Sequence, residues 1–240
     1  MGIRAFIICI GLLALISVAQ GQENISASRK FYEFGNRHAD DEMAYLDLFA
    51  TELSKSPNLR GYIVGHSEQQ ILPGHFLRRI YGYWNYLVNM RGINPHRVKV
   101  VEGENRESRI TELWLVPDGA SPPEPSSQMR MNPKLPLKFD EVSIGVGCEP
   151  EFTLDLYELD DGLKFYANAL RENPRAQAQI IVYPRRRNRL SKAAGVARHT
   201  KNLLVRDYKI ESHRIVTKVG NRRQACMKAE LWIAPAGAVR

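Results

Sequence analysis

His96-Arg97-Val98 and His213-Arg214-Ile215 are one pattern written twice, 117 positions apart. Working outward from it, the same displacement carries Ile93 to Ile210, Leu87-Val88 to Leu204-Val205, and Ile63 to Ile180. Further upstream, Leu46, Phe49, Ala50, Leu53 and Pro57 recur as Leu163, Tyr166, Ala167, Leu170 and Pro174. Downstream the match survives one inserted residue, since Glu112-Leu-Trp-Leu-Val-Pro117 answers to Glu230-Leu-Trp-Ile-Ala-Pro235. A chain that repeats over this length is built from two copies of one unit, and the repeat sets the unit boundaries.

Within the first copy, Met43, Leu46, Ala50 and Leu53 share one helical face, with Asp40 or Asp41 as the expected cap and Pro57 beyond the end. Tyr62-Ile63-Val64 reads as a short apolar strand. Phe76, Ile80, Tyr83 and Leu87 keep helical spacing up to Arg91-Gly92, and Arg97 to Val101 alternates as a strand. Ile110 to Val116 closes the unit, and Lys30 to Phe34 opens it. The order is β-α-β-α-β-β, an α/β (α+β sandwich) unit with its helices on one face of a mixed sheet. The second copy repeats the order, apart from Val142 to Asp161, which carries no clear pattern. Its second helix has Ala193, Ala197 and Thr200 in place of Phe76, Ile80 and Tyr83, which predicts closer packing on its sheet. The division is then residues 22–117, a Pro- and Ser-rich linker over 118–135, and 136–240.

The 240 residues, 44% hydrophobic and 25% charged, exclude collagen-like, wholly disordered and polytopic membrane classes. Met1 to Arg4 is a short positive start, Ala5 to Val18 an apolar run, and Ala19-Gln20-Gly21 offers small residues for cleavage. Residues 1–21 therefore read as a removable signal peptide, too short in its apolar part for the roughly 20 residues that span a bilayer. Export to a periplasmic or extracellular space is the expectation. Removing the signal removes Cys9 and leaves Cys148 and Cys226, an even pair where disulfides persist. Cys148 follows the first strand of the second copy and Cys226 begins its last, so antiparallel pairing of those strands predicts a bridge.

Of the net charge of +8, +7 is carried by the second half of the chain and the rest by Arg4. From Glu23 to Leu137 there are 14 basic and 14 acidic residues, and from Lys138 to Arg240 there are 19 and 12. Arg185, Arg186, Arg187 and Arg189 form the densest cluster, suited to an anionic polymer or an acidic protein. Nucleic acid is not expected as the partner, because Tyr183 is the one aromatic residue near those arginines.

A helix ending in Tyr86-Leu-Val, then Arg91-Gly-Ile-Asn-Pro-His-Arg-Val98, a strand and a closing hairpin resembles the periplasmic C-terminal domain of outer membrane protein A. Gly65-His-Ser-Glu68 resembles that family's Gly-His-Thr-Asp turn. The resemblance covers nearly all of the first copy and, more weakly, the second. It implies a ligand grip on diaminopimelate of peptidoglycan, in which an acid takes the ammonium and an arginine the carboxylate. Glu68 falls at the acid position, Arg79 at the helix arginine, and Arg109 resembles the family's terminal arginine. Glu68 is longer than the family's Asp, and Ile80-Tyr81 replaces small residues. In the second copy the turn Tyr183 to Arg189 carries no acid, and Val196 stands at the arginine position.

Tyr81, Tyr83, Trp84 and Tyr86 fit packing better than a glycan surface at their helical spacing. His96 and His213, repeated before a strand, predict a structural hydrogen bond and not a metal site. Nucleophile elbows, zinc helices, Gly-rich phosphate loops and Cys-x-x-Cys pairs do not occur. No enzyme activity, metal or cofactor is expected. The sequence points to an exported binding or scaffolding protein of the cell envelope, contacting peptidoglycan or another anionic polymer. The alternative is an interaction module that meets an acidic protein.

Overall fold

The elements run β1 (Arg29–Phe34), α1 (Ala39–Lys55), β2 (Leu59–His66), α2 (Pro73–Asn85), β3 (Val98–Glu102) and β4 (Ile110–Pro117) in the first unit. The second runs β5 (Leu137–Ile144), α3 (Leu159–Glu172), β6 (Ala176–Tyr183), α4 (Leu190–Arg206), β7 (Ile215–Val219) and β8 (Met227–Pro235). They belong to a computed structural model that describes residues 27–68, 71–124, 136–144, 159–185, 190–221, 225–235 and 237. Residues 1–21, read from the sequence as a signal peptide, Cys148, Arg186, Arg187, Arg189 and residues 125–135 of the linker lie outside the described residues.

Each unit holds a four-stranded mixed sheet, ordered β1-β4-β2-β3 and β5-β8-β6-β7. β2 and β3 run parallel, as do β6 and β7, while all other neighbours are antiparallel. A parallel pair needs a crossover, and α2 and α4 supply it. The first strands share an irregularity too, between Lys30 and Tyr32 in β1 and between Lys138 and Asp140 in β5. This is the predicted β-α-β-α-β-β order, found twice.

Both helices of the first unit lie on one face of its sheet. A Cβ on Gly61 would meet Leu53 and Phe49 of α1, and one on Gly65 would meet Ile80 and Phe76 of α2. Leu46, Phe49, Leu53, Ile63, Leu87, Leu113 and Leu115 fill the space between. Ala193, Ala197 and Thr200 are buried in α4, as the small residues there predict. α1 departs from expectation at its start: His38 is the N-cap residue, without a side-chain cap bond, and Asp40, Asp41 and Glu42 occupy the first turn. Carboxylates in that turn favour the positive end of the helix dipole without capping it.

α2 continues through a π-helical turn, Tyr86–Met90, and the chain leaves it at Gly92 with φ 68°. Ile93 N–H then closes on Leu87 C=O at 3.0 Å. The second unit makes the same exit, Ile210 N–H to Leu204 C=O at 3.0 Å, but with Lys209 at φ 58°. A left-handed residue at this place is ordinarily glycine.

The histidines expected to brace the repeated His-Arg motif do not do so. His96 and His213 are exposed, and the bracing residue is the arginine that follows each. Arg97 donates to the carbonyls of Leu53, Ser56 and Leu59, and Arg214 to those of Leu170, Asn173 and Ala176. The two acceptor sets are related by the same 117 positions. Guanidinium suits the task because its fixed fork can serve the last carbonyls of a helix and the start of the next strand together.

The second unit's core does not stop at its own elements. Phe76, Leu77 and Ile80 of α2 belong to the same buried cluster as Phe139, Leu163, Tyr166 and Ile180. The Tyr81 ring packs 4.8 Å from the Phe165 ring, and Lys164 Nζ lies 4.8 Å from the centre of the latter. Between these apolar contacts, Arg78 of α2 meets Asp140 of β5 through Nε–Oδ2 and Nη2–Oδ1, both 3.0 Å. The surrounding backbone is close: a Cβ on Gly74 would lie 2.6 Å from Asp140. α2 thus serves two cores, facing its own sheet on one side and β5 and α3 on the other.

Candidate functional site

Three loops and two helices of the first unit bring charge together beyond the C-terminal end of β2. From α2, Arg79 donates through Nε to Tyr83 Oη at 2.9 Å and through Nη2 to Glu42 of α1. Tyr83 Oη donates in turn to Glu42 Oε2 at 3.0 Å, closing a triangle. All three residues are buried, Glu42 and Tyr83 to within 1% exposure. Burial works against the Arg79 charge, but Tyr83 and Glu42 outweigh it and hold its pKa above the ordinary arginine value. Burial pushes the Tyr83 phenol well up.

Arg109, one residue before β4, stands at the mouth above this triangle. It is half-buried and donates to Asn36 Oδ1 of the loop between β1 and α1. Burial, then the like charge of Arg79, pulls its pKa down; Tyr83, Glu42 and Glu68 act the other way. Among the described residues no carboxylate stands within ion-pair distance of Arg109. Glu68 is exposed, and its backbone forms a bridge with Arg106.

The structure therefore places Arg79, Arg109 and Glu68 in one neighbourhood. It also gives Arg79 an internal acid, Glu42, which the sequence reading did not single out. A signal for Glu42 exists in the repeat. The counterparts of Glu42, Arg79 and Tyr83 are Leu159, Val196 and Thr200, so the charged set is replaced as a set in the second copy. Arg185, the one described member of the basic cluster, is exposed. Tyr83 and Tyr86 are buried, Tyr81 packs between the units, and Trp84 Nε1–H donates to Val98 C=O at 3.1 Å. The four aromatics of α2 and its extension are packing residues, as their spacing predicts.

A second polar group lies on the helix-free face and is present in both units. Glu112 of β4 accepts from Trp114 Nε1 at 2.8 Å and from Lys30 Nζ at 3.1 Å. Glu230 of β8 accepts from Trp232 Nε1 and Lys138 Nζ, both at 2.9 Å. Burial alone would raise the Glu112 pKa, but Trp114, Lys30 and the adjacent His66 hold it below the usual carboxylate range.

Among the described residues no group of three or more His, Cys, Asp or Glu is placed to hold a metal ion, and no helix is long and apolar enough to cross a membrane. No protein-family model matches the chain, and it matches none of the curated proteins.

Proposed function

We propose that the chain is an exported, non-catalytic binding protein of the cell envelope, whose first unit seats a carboxylate of peptidoglycan or a similar anionic polymer. The observation that supports this reading is Arg109: a half-buried guanidinium, backed by a second guanidinium, with an amide for a neighbour and no carboxylate in ion-pair range among the described residues. A guanidinium in that setting favours an external carboxylate, which it can take through two parallel N–H bonds. Glu68 supplies the opposite charge at the rim, as an amine-bearing peptide stem requires. Arg79, tied to Glu42 and Tyr83, forms an ion-paired floor beneath Arg109. The resemblance of Gly65-His-Ser-Glu68, Arg79 and Arg109 to the binding positions of outer-membrane-protein-A-like domains supports the same ligand class. The second unit lacks the charged set and acts as a scaffold through its packing on α2.

The test is cosedimentation of the full chain with purified peptidoglycan sacculi at low and physiological salt, alongside Arg109→Ala and Glu68→Ala. The expected result is pelleting that survives physiological salt and is lost in both variants. Wild-type protein that stays in the supernatant overturns the reading, as does undiminished pelleting of both variants.

A further inference from the structure

His66, the last residue of β2, is 5% exposed. Its Nδ1 lies 3.0 Å from Glu104 C=O, so Nδ1 carries the hydrogen and donates it. Its Nε2 is buried with no hydrogen-bond partner among the described residues and faces Glu112 Oε1 at 3.5 Å. A buried polar atom without a partner in an ordered sheet calls for an explanation.

The repeat supplies one. The counterpart of His66 is Tyr183, and there the hydroxyl donates to Glu230 Oε2 at 3.3 Å. The two rings also share a glycine cover. Gly103 N–H bonds Gly65 C=O at 2.8 Å and Gly220 N–H bonds Val182 C=O at 2.9 Å. A Cβ on Gly103 would meet the His66 ring at 2.5 Å, and one on Gly220 the Tyr183 ring at 2.2 Å. Each unit therefore clasps a ring under a glycine and points its edge at a glutamate. In the second unit the edge always holds a proton; in the first it holds one only when the imidazole is charged.

We infer that His66 is a proton-operated latch on the loop that presents Arg106 and Arg109. That loop is anchored around it: Glu104 by its carbonyl, Asn105 by Ser67 Oγ at 2.5 Å, and Arg106 by its N–H to Ser67 C=O at 2.9 Å and by Nη2 to Glu112 at 3.2 Å. A proton at Nε2 gives the ring a donor for Glu112 while Nδ1 keeps Glu104, tying β2, β4 and the loop together. The charged groups that face this edge are Glu112 from β4, Lys30 from β1 and Arg106 from the loop, with Glu33 beyond Lys30. The two cations oppose the proton, but they are 39% and 32% exposed, whereas His66 and Glu112 are 6% each. Solvent screens the former more strongly than the latter, and only the protonated edge can donate to Glu112. The latch closes on the acid side and opens on the alkaline side.

Its consequence for ligand, firmer presentation of Arg109 in acid, rests on the reading proposed above; the latch is tested without ligand. Amide hydrogen exchange over residues 103–109, corrected for the intrinsic pH dependence of exchange, is measured at about pH 5.5 and about pH 8, either side of the range in which histidines ordinarily titrate. Wild type is compared with His66→Tyr, which copies the second unit, and with His66→Phe. Protection in wild type is expected to be about tenfold higher in acid, the worth of one hydrogen bond, with no such difference in either variant. Equal protection at the two pH values in wild type overturns the latch, and so does a difference that persists in His66→Tyr.

Discussion

Arg78 and Asp140 form a two-point ion pair across the two repeats, with 7% of one side chain and none of the other exposed. A buried pair is a weak source of net stability, but removing one partner strands the other charge in a dry site. Arg78→Ala is expected to lower stability by about 3–5 kcal/mol, read from denaturant unfolding, and Arg78→Met with Asp140→Leu by much less. Because α2 contributes to both cores, wild type is expected to unfold in one transition that fluorescence and circular dichroism report alike. Two separate transitions would contradict the shared core.

Lys209 holds a left-handed backbone where the first unit has Gly92. A side chain in that conformation costs about 1 kcal/mol relative to glycine. Lys209→Gly is expected to raise stability and Gly92→Lys to lower it, both by about that amount, with thermal midpoints as the measurement. The Lys209 bond to Arg206 C=O is on an exposed amine and does not reverse the sign.

Arg97→Ala and Arg214→Ala each leave three carbonyls without their donor. The expected loss is about 2–3 kcal/mol in each case, from charged hydrogen bonds of which part is recovered by water. Lysine should not rescue either site, since a single ammonium cannot span the same acceptors. His96→Ala and His213→Ala, on exposed residues, are expected to be silent in the same assay.

Tyr83 and Tyr166 have their phenol pKa values pushed up by burial. Each is an acid whose folded pKa exceeds the unfolded value of about 10. The stability they contribute is therefore complete below about pH 10 and is lost as pH rises from there through the folded values. Ultraviolet titration of tyrosinate should show part of the 10 tyrosines ionising only as the fold melts. Tyr83→Phe should shift the alkaline melting point upward relative to its own stability at neutral pH.

Cys148 and Cys226 are expected to be bridged. β5 pairs antiparallel with β8 and sets Ile144 opposite Met227, one residue from Cys226 and four from Cys148. Thiol titration of the mature chain, unfolded without reductant, should find none, and two free thiols would end the idea.

How far the sequence could be read varies by element, for physical reasons. The repeat displayed the order of the elements along the chain because core positions such as Ile63 and Ile180 tolerate little besides an apolar residue; the order of the strands within the sheet came from the structure. The bracing role of Arg97 and Arg214 was hidden beside more conspicuous histidines, since which of two adjacent polar residues turns inward is settled by the carbonyls it can reach. The double duty of α2 was partly visible: Phe76, Leu77, Ile80, Tyr81, Tyr83 and Trp84 wrap more of the helix than one sheet can cover. Reading only Phe76, Ile80, Tyr83 and Leu87 as the buried stripe gave no sign of Arg78, which a buried acid from β5 meets. At the candidate site, the resemblance to outer-membrane-protein-A-like domains pointed to Glu68, Arg79 and Arg109. Glu42 escaped because nothing local ties an acid in the first turn of α1 to an arginine two elements later.

A chain made by doubling one unit ordinarily leaves its halves free to drift apart. Here the crossover helix of the first half has become a wall of the second, so that freedom is gone. A change in the second repeat at Asp140 or Phe165 is answerable to α2 in the first, whereas a change in α4 is answerable, among the described residues, to the sheet and α3 of its own unit. Equivalent places in the two copies therefore carry unequal burdens, heavier along α2 than along the outer face of α4.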